Sequence, residues 1–311
     1  MLGKVLKKGD TIGIIAPASC SSYEKVLEAK KNIGNMGYKV VLGECTQKQW
    51  YSYAGEDEER AREINNFFSD KAIDAILCMR GGYGCNRLIE LIDFEIIKNN
   101  PKIFVGYSDI TTLHMAINEK TGLITFHGPM AVSNFTGNYN IDTYNNFIEI
   151  LSNPLDQRVI NNFSKELEVI SEGKAKGKLV GGNLATLVAT LGTKYDLDYR
   201  EKILFLEEIG EKTYKVDRFL NQLKKHGVFE KIEGIVLGDF KNCPPDSEKD
   251  MSLIEVFQDY FRDLKKPVIY NLESGHSEPM LTLPLGAMCG IDSYEKRSEE
   301  RRVGKECRSR W

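Results

Sequence analysis

Short apolar runs alternate with longer segments of helical period through the first half of the chain. Residues 11–17, Thr-Ile-Gly-Ile-Ile-Ala-Pro, predict a buried strand closed by a proline turn. Over residues 23–36, Val26, Leu27, Ala29 and Ile33 recur near a 3.6-residue period and predict a helix. Residues 39–42 predict a second strand. Residues 58–68 predict a helix with Ala61, Ile64 and Phe67/Phe68 on one face, and residues 72–79 a third strand. A glycine-rich turn and a helix over about 85–92 follow. The run Ile103 to Val105 then predicts a strand that turns sharply at Ser108 into a helix, with another strand at 123–126. This alternation predicts a parallel sheet with helices on both faces.

The texture changes over residues 153–178. Asn153-Pro154 ends a helix, residues 167–170 alternate, and glycines at 173, 177, 181 and 182 predict short strands and turns. The expected division is an N-terminal α/β domain over 1–155 and a smaller, β-rich α/β domain over 170–292. In the latter, helices are expected at 184–191, 216–223 and 253–264. Strands are expected at 203–206, 234–238, 267–272 and 281–291. Residues 293–311 are dense in charge and lack apolar period, where a closing strand would be expected. They read as a disordered or non-native tail and are set aside.

The 311 residues are ample for a buried core. A net charge of -3 gives no electrostatic case for binding nucleic acid or an anionic membrane. The first ten residues hold no apolar core of a signal peptide, and the run at 11–16 is too short for one or for a membrane span. Seven cysteines are scattered without CxxC spacing, which reads as reduced thiols and a cytoplasmic location. There is no HExxH, and no Cys/His cluster at zinc spacing. His276-Ser277-Glu278 lacks the PCxxC that would complete a zinc deaminase signature. No metal and no cofactor is expected.

Four segments carry candidate chemistry. In Gly106-Tyr107-Ser108-Asp109 a serine sits where a strand hands over to a helix, which pushes its hydroxyl out over the sheet end. Ser and Asp are also preferred helix N-caps, and on this segment alone capping outweighs the nucleophile reading. Arg80-Gly81-Gly82-Tyr83-Gly84 ends the preceding strand and could aim backbone N–H groups at a ligand. It does not complete GxGxxG, because Arg87 holds the last glycine's place, so a phosphate loop is disfavoured. Both segments lie on the carboxyl edge of a parallel sheet, where ligands bind, so an oxyanion-binding role is physically sensible. In Leu204-Phe205-Leu206-Glu207-Glu208 carboxylates end an apolar strand; one could orient a histidine, and chemistry alone leaves open which. Of four histidines, His114 and His226 lie in helical segments, and His127 follows a strand. His276, in the loop Gly275-His276-Ser277-Glu278-Pro279, is freest to act as a base.

These pieces, with Gly13 to Ser19, Gly181-Gly182-Asn183-Leu184 and Thr282-Leu283-Pro284-Leu285-Gly286, follow one order along the chain. Each is weak alone; seven in order are specific. Together they resemble the LD-carboxypeptidase family, serine peptidase family S66, which includes murein tetrapeptide carboxypeptidases and microcin C7 self-immunity proteins. The resemblance covers residues 9 to 292. It implies an N-terminal domain like class I glutamine amidotransferases. It also implies a triad of Ser108 as nucleophile, Glu207 as orienting acid and His276 as base. Glu207 is preferred to Glu208 because the motif aligns the acid with the first residue after the apolar strand. The N–H groups of Asp109 and of Gly81 and Gly82 would hold the oxyanion, and Arg80 and Tyr83 would contact substrate. The implied reaction is release of terminal D-alanine from a muropeptide in peptidoglycan recycling, by a homodimer. The alternatives are an immunity-type hydrolase of aminoacyl-adenylate-like antibiotics and a non-catalytic nucleotide- or peptide-binding module.

Overall fold

The computed structural model describes residues 1–153, 155, 158–294 and 307–309. Two compact units divide the chain: 1–154 with 282–286, and 155–281 with 287–311.

In the first unit the expected alternation is realised as β1 (Thr11–Ile15), α1 (Tyr23–Asn35), β2 (Lys39–Leu42), α2 (Asp57–Ser69), β3 (Ala75–Cys78), α3 (Phe94–Asn99), β4 (Ile103–Gly106), α4 (Thr111–Thr121), β5 (Thr125–His127), α5 (Ala131–Asn134) and α6 (Ile141–Ser152). The strands lie in the order β5-β4-β3-β1-β2, all parallel. Strands β3, β4 and β5 are buried throughout, as a sheet covered on both faces requires. Helix α1 buries Val26, Ala29 and Ile33, but Leu27 points to solvent. The helix expected at 85–92 is instead two 3₁₀ turns, Cys85–Arg87 and Ile89–Leu91. The reason is local: Gly84 enters at φ 134°, and the Cys85 N–H is taken by the Asp109 carboxylate. The regular helix starts only at α3, where the Asp93 side chain accepts from the N–H groups of Glu95 and Ile96.

The second unit runs β6 (Arg158–Ile160), β7 (Glu168–Ser171), β8 (Lys174–Asn183), α7 (Leu184–Val188), β9 (Lys202–Ile209), α8 (Thr213–Lys225), α9 (Val228–Lys231), β10 (Gly234–Lys241), α10 (Leu253–Phe261) and β11 (Val268–Tyr270). After β12 (Leu283–Leu285) come β13 (Met288–Asp292) and β14 (Cys307–Ser309). Its main sheet has the order β13-β8-β9-β10-β11-β7, with parallel pairing from β8 through β11 and antiparallel edges. The glycine-spaced segment expected to break into short strands is the single ten-residue strand β8. Its glycines let the neighbouring backbone close in: a Cβ on Gly181 would sit 2.0 Å from the Phe205 carbonyl oxygen.

One expected assignment is corrected. Strand β12 does not belong with the second-half sheet; it pairs antiparallel with β5 and completes the first sheet. It covers the open edge of β5, and the Thr282 N–H is fixed by Asn146 Oδ1 on α6 at 2.8 Å. The expected tail over 293–311 lies mostly outside the described residues. Within it, Ser293 Oγ accepts from Gly173 N–H at 2.8 Å, and β14 pairs antiparallel with β6.

Candidate active site

The corner after β4 is built from backbone. Ser108 has φ 64°, a left-handed conformation uncommon for a residue with a side chain and enriched at functional sites. The N-cap reading fails here. Neither the 3₁₀ turn Ser108–Ile110 nor α4 is capped by a side chain, and the Asp109 carboxylate turns away to accept the Cys85 N–H at 2.8 Å. The glycine turn is brought against the corner: a Cβ on Gly81 would lie 2.9 Å from Ser108 Cβ and 3.0 Å from its Oγ. No residue but glycine leaves that space. Among the described residues no hydrogen bond takes up the N–H of Gly81 or Gly82. Ser19 supports the turn from the other side; its Oγ accepts the Tyr83 N–H at 3.2 Å.

Beneath the corner, His114 is fully buried on α4. Its Nε2 lies 2.8 Å from the Gly106 carbonyl and its Nδ1 2.8 Å from Thr125 Oγ1. The carbonyl can only accept, so Nε2 carries the proton and Nδ1 accepts from the hydroxyl. Burial pushes this imidazole down to about 4. It is a neutral strut, not a base. Arg80 reaches back to the Cys20 carbonyl at 3.2 Å, and Tyr83 is 54% exposed.

The second unit holds the other candidates, and here charge does the positioning. Glu207 lies near the end of β9 with its side chain wholly buried. Its Oε2 is 2.6 Å from His276 Nδ1. Glu208, the competing acid, is committed elsewhere: it accepts from Asn183 Nδ2 and from the N–H groups of Ala185 and Ile209, tying the end of β8 to β9. Burial raises the Glu208 carboxyl. For His276, burial is the largest single influence and lowers its affinity for a proton. The Glu207 charge and hydrogen bond, with Glu208 and Asp239, outweigh it, and the imidazole titrates above its ordinary range. Gly275, at φ 147°, carries no side chain because a Cβ would lie 3.1 Å from Glu207 Oε2. The loop is pinned at its neck by Ser274 Oγ donating to the Leu281 carbonyl at 2.9 Å and by the Leu281 N–H on the Glu273 carbonyl at 2.7 Å. Lys241 Nζ donates to the His276 carbonyl at 3.0 Å.

Two contributors escape a motif reading. Ser19 is visible only as the end of an apolar strand motif. Asp239 stands in the apolar run of β10, where a lone carboxylate at a strand's carboxyl end is a signal in hindsight. The remaining histidines are structural: His226 pairs with Asp196 at 2.7 Å, and His127 is buried in β5 against Tyr107. Among the described residues no group of three or more His, Cys, Asp and Glu could hold a metal ion.

A serine at a left-handed corner with glycine N–H groups beside it, and a buried acid–histidine pair, are groups that serine-hydrolase chemistry could use. Comparison with known proteins decides the class. The LD-carboxypeptidase N-terminal domain profile matches residues 12–128, and the LD-carboxypeptidase C-terminal domain profile matches residues 176–291. The chain belongs to the LD-carboxypeptidase family. As a member it is a peptidase. The chain is 41% identical over 297 residues to a probable murein peptide carboxypeptidase of Bacillus subtilis, covering 94% of this chain and 92% of that protein. It is 32% identical to the microcin C7 self-immunity protein MccF of Escherichia coli, covering 95% and 94%. Among solved structures, muramoyltetrapeptide carboxypeptidase from Oxalobacter formigenes superposes with a TM-score of 0.82 at 31% identity, over 91% of this chain and 95% of that one. Among the described residues no helix of this LD-carboxypeptidase family member is long and apolar enough to cross a membrane.

Proposed function

We propose that this protein is a serine carboxypeptidase that cuts an L,D peptide bond and releases the terminal D-alanine of murein tetrapeptide, a step of peptidoglycan recycling. The observation that carries this reading is the 2.6 Å bond between buried Glu207 and His276 Nδ1. It leaves Nε2 as the base and fixes its tautomer. Ser108 Oγ attacks the scissile carbonyl carbon while its proton passes to His276. The tetrahedral oxyanion takes hydrogen bonds from the N–H groups of Asp109, Gly81 and Gly82. Collapse breaks the C–N bond, His276 protonates the departing D-alanine amine, and the acyl group remains on Ser108. Water then attacks the ester carbon as it gives a proton to His276; collapse breaks the C–O bond to Ser108, His276 returns the proton to Ser108 Oγ, and the shortened peptide leaves as a carboxylic acid. Arg80 and Tyr83 serve as substrate contacts. Similarity to the murein peptide carboxypeptidase over nearly the whole chain supports the substrate class. A cytoplasmic homodimer belongs to the same proposal, read by light scattering and cell fractionation.

Similarity to MccF supports a second reading, hydrolysis of aminoacyl-adenylate-like antibiotics. That chemistry calls for an aromatic side chain from the second unit to stack on the base, whereas Trp50, the one tryptophan among the described residues, lies in the first. Incubation with murein tetrapeptide in the presence of EDTA, read by mass spectrometry, is expected to give free D-alanine. No release would refute the reading. Loss of release with EDTA would point to a metal hydrolase. Faster cleavage of an aminoacyl sulfamoyl adenosine would move the protein to the immunity branch.

A further inference from the structure

Asp109 stands in the site as a backbone donor, yet its carboxylate has a separate job. The side chain is buried, and its Oδ2 accepts the Cys85 N–H at 2.8 Å across 24 residues of chain. Cys85 closes the glycine turn that begins at Arg80, and its Sγ contacts the Pro17 carbonyl at 3.7 Å. Arg60, completely buried, donates through Nη1 to that same carbonyl at 2.7 Å and through Nε to the Gly55 carbonyl at 3.1 Å. Gly84 packs directly on this guanidinium: a Cβ there would lie 2.5 Å from Nη1. Behind the turn there is thus a fixed wall, and in front of it the charge-assisted bond from the Cys85 N–H to the residue that follows Ser108. Burial raises the Asp109 carboxyl, while the Cys85 N–H, the Cys85 thiol and Arg60 favour its ionised form.

We infer that the Asp109 carboxylate is a positioning residue that clamps the glycine turn to the Ser108 corner, holding the Gly81 and Gly82 N–H groups at the distance the oxyanion needs. This rests on the proposed hydrolysis and adds to it. The oxyanion donors come from two stretches of chain, and the Asp109–Cys85 bond links them. What the clamp requires is an acceptor, not a charge. Asparagine at 109 can still accept from Cys85; alanine cannot.

The test compares Asp109→Ala and Asp109→Asn in the full-length protein by tetrapeptide kinetics and amide hydrogen exchange. Because displacement of about 1 Å can cost about 100-fold, Asp109→Ala is expected to lower kcat by about 10- to 100-fold with KM within about 2-fold, and Asp109→Asn, which restores the acceptor, to recover most of that loss. Exchange at the Cys85 amide should speed up in the alanine variant alone. Unchanged Cys85 protection in Asp109→Ala, or wild-type kcat in that variant, overturns the clamp. So does a folded Asp109→Asn that loses about 10-fold or more in kcat against the wild type, an arm that holds even if Asp109→Ala fails to fold. If the wild type releases no D-alanine, the hydrolysis reading fails, while the Cys85 exchange arm still decides whether the clamp exists.

Discussion

At the Ser108 corner the chain positions its chemistry with backbone, whereas around His276 it does so with buried charge. The corner depends on a left-handed serine, a glycine at which a Cβ would come within 3.0 Å of the serine hydroxyl, and a neutral histidine strut below. The His276 loop depends on a fully buried carboxylate, an imidazole 11% exposed and two further acids whose fields reach it. Each design fails differently. A backbone device is broken by volume and scarcely feels pH. An electrostatic one tolerates isosteric change in shape but is undone by loss of one charge.

The largest expected effect separates the two on that basis. Glu207→Gln keeps the size of the acid and removes its charge, and should lower kcat on the order of 10³- to 10⁴-fold. It should also shift the pH profile. As the proposed base, His276 must be neutral to act, so activity is expected to rise with pH through its pKa. That acid limb should lie above the ordinary histidine range in the wild type and move down in the variant. The sign for stability runs the other way. A raised histidine contributes stability fully below its unfolded value of 6.5, and loses it as pH rises through the folded value. An unmoved acid limb in residual Glu207→Gln activity would show that charge is not what tunes the base.

A smaller loss is expected from volume alone. Gly81→Ala places a methyl group 2.9 Å from Ser108 Cβ and should cost about 100-fold in kcat by displacing the proposed nucleophile or the N–H groups proposed to hold the oxyanion. Its pH profile should match the wild type, because no charge has changed. A displaced acid limb would mean the division between backbone and charge is wrong.

The last effect falls on folding and leaves the rate untouched. His114 is held neutral, so between pH 6.5 and about 4 the unfolded chain binds a proton that the folded chain does not. Stability should fall across that window as pH falls, by on the order of 3 kcal/mol when complete. Urea unfolding at several pH values should show that slope reduced in His114→Gln. Parallel profiles for the two proteins would refute the strut.

The difference between the regions also governs how much of each could be read in the sequence. Glycines and a serine at strand ends are local signals, and Arg80 to Gly84 and Gly106 to Asp109 announced a backbone device before any contact was known. The partnership of Glu207 and His276 spans 69 residues, and nothing local distinguishes Glu207 from Glu208 except the order of a family motif. Structure separates them by their partners: one carboxylate meets an imidazole, the other an amide and two N–H groups. Most of the α/β rhythm was legible because strands buried on both faces read as continuous apolar runs. The sheet that β12 joins was not, because a three-residue strand carries no record of its partner. The capping role expected of Ser108 and Asp109 was a sound local preference, overridden by the tertiary bond from Asp109 to Cys85.

In the proposed mechanism Ser108 is a nucleophile activated by the His276–Glu207 pair. A fluorophosphonate reacts with an activated serine by forming a P–O bond and expelling fluoride, so it marks the residue without any assumption about the substrate. Peptide mapping by mass spectrometry should place the adduct on Ser108 in the wild type. His276→Gln, which keeps a donor for Glu207 but offers no base, should slow labelling by at least about 100-fold, the lower range for general-base catalysis. An adduct on another residue, or labelling of Ser108 at the same rate in both proteins, would contradict it.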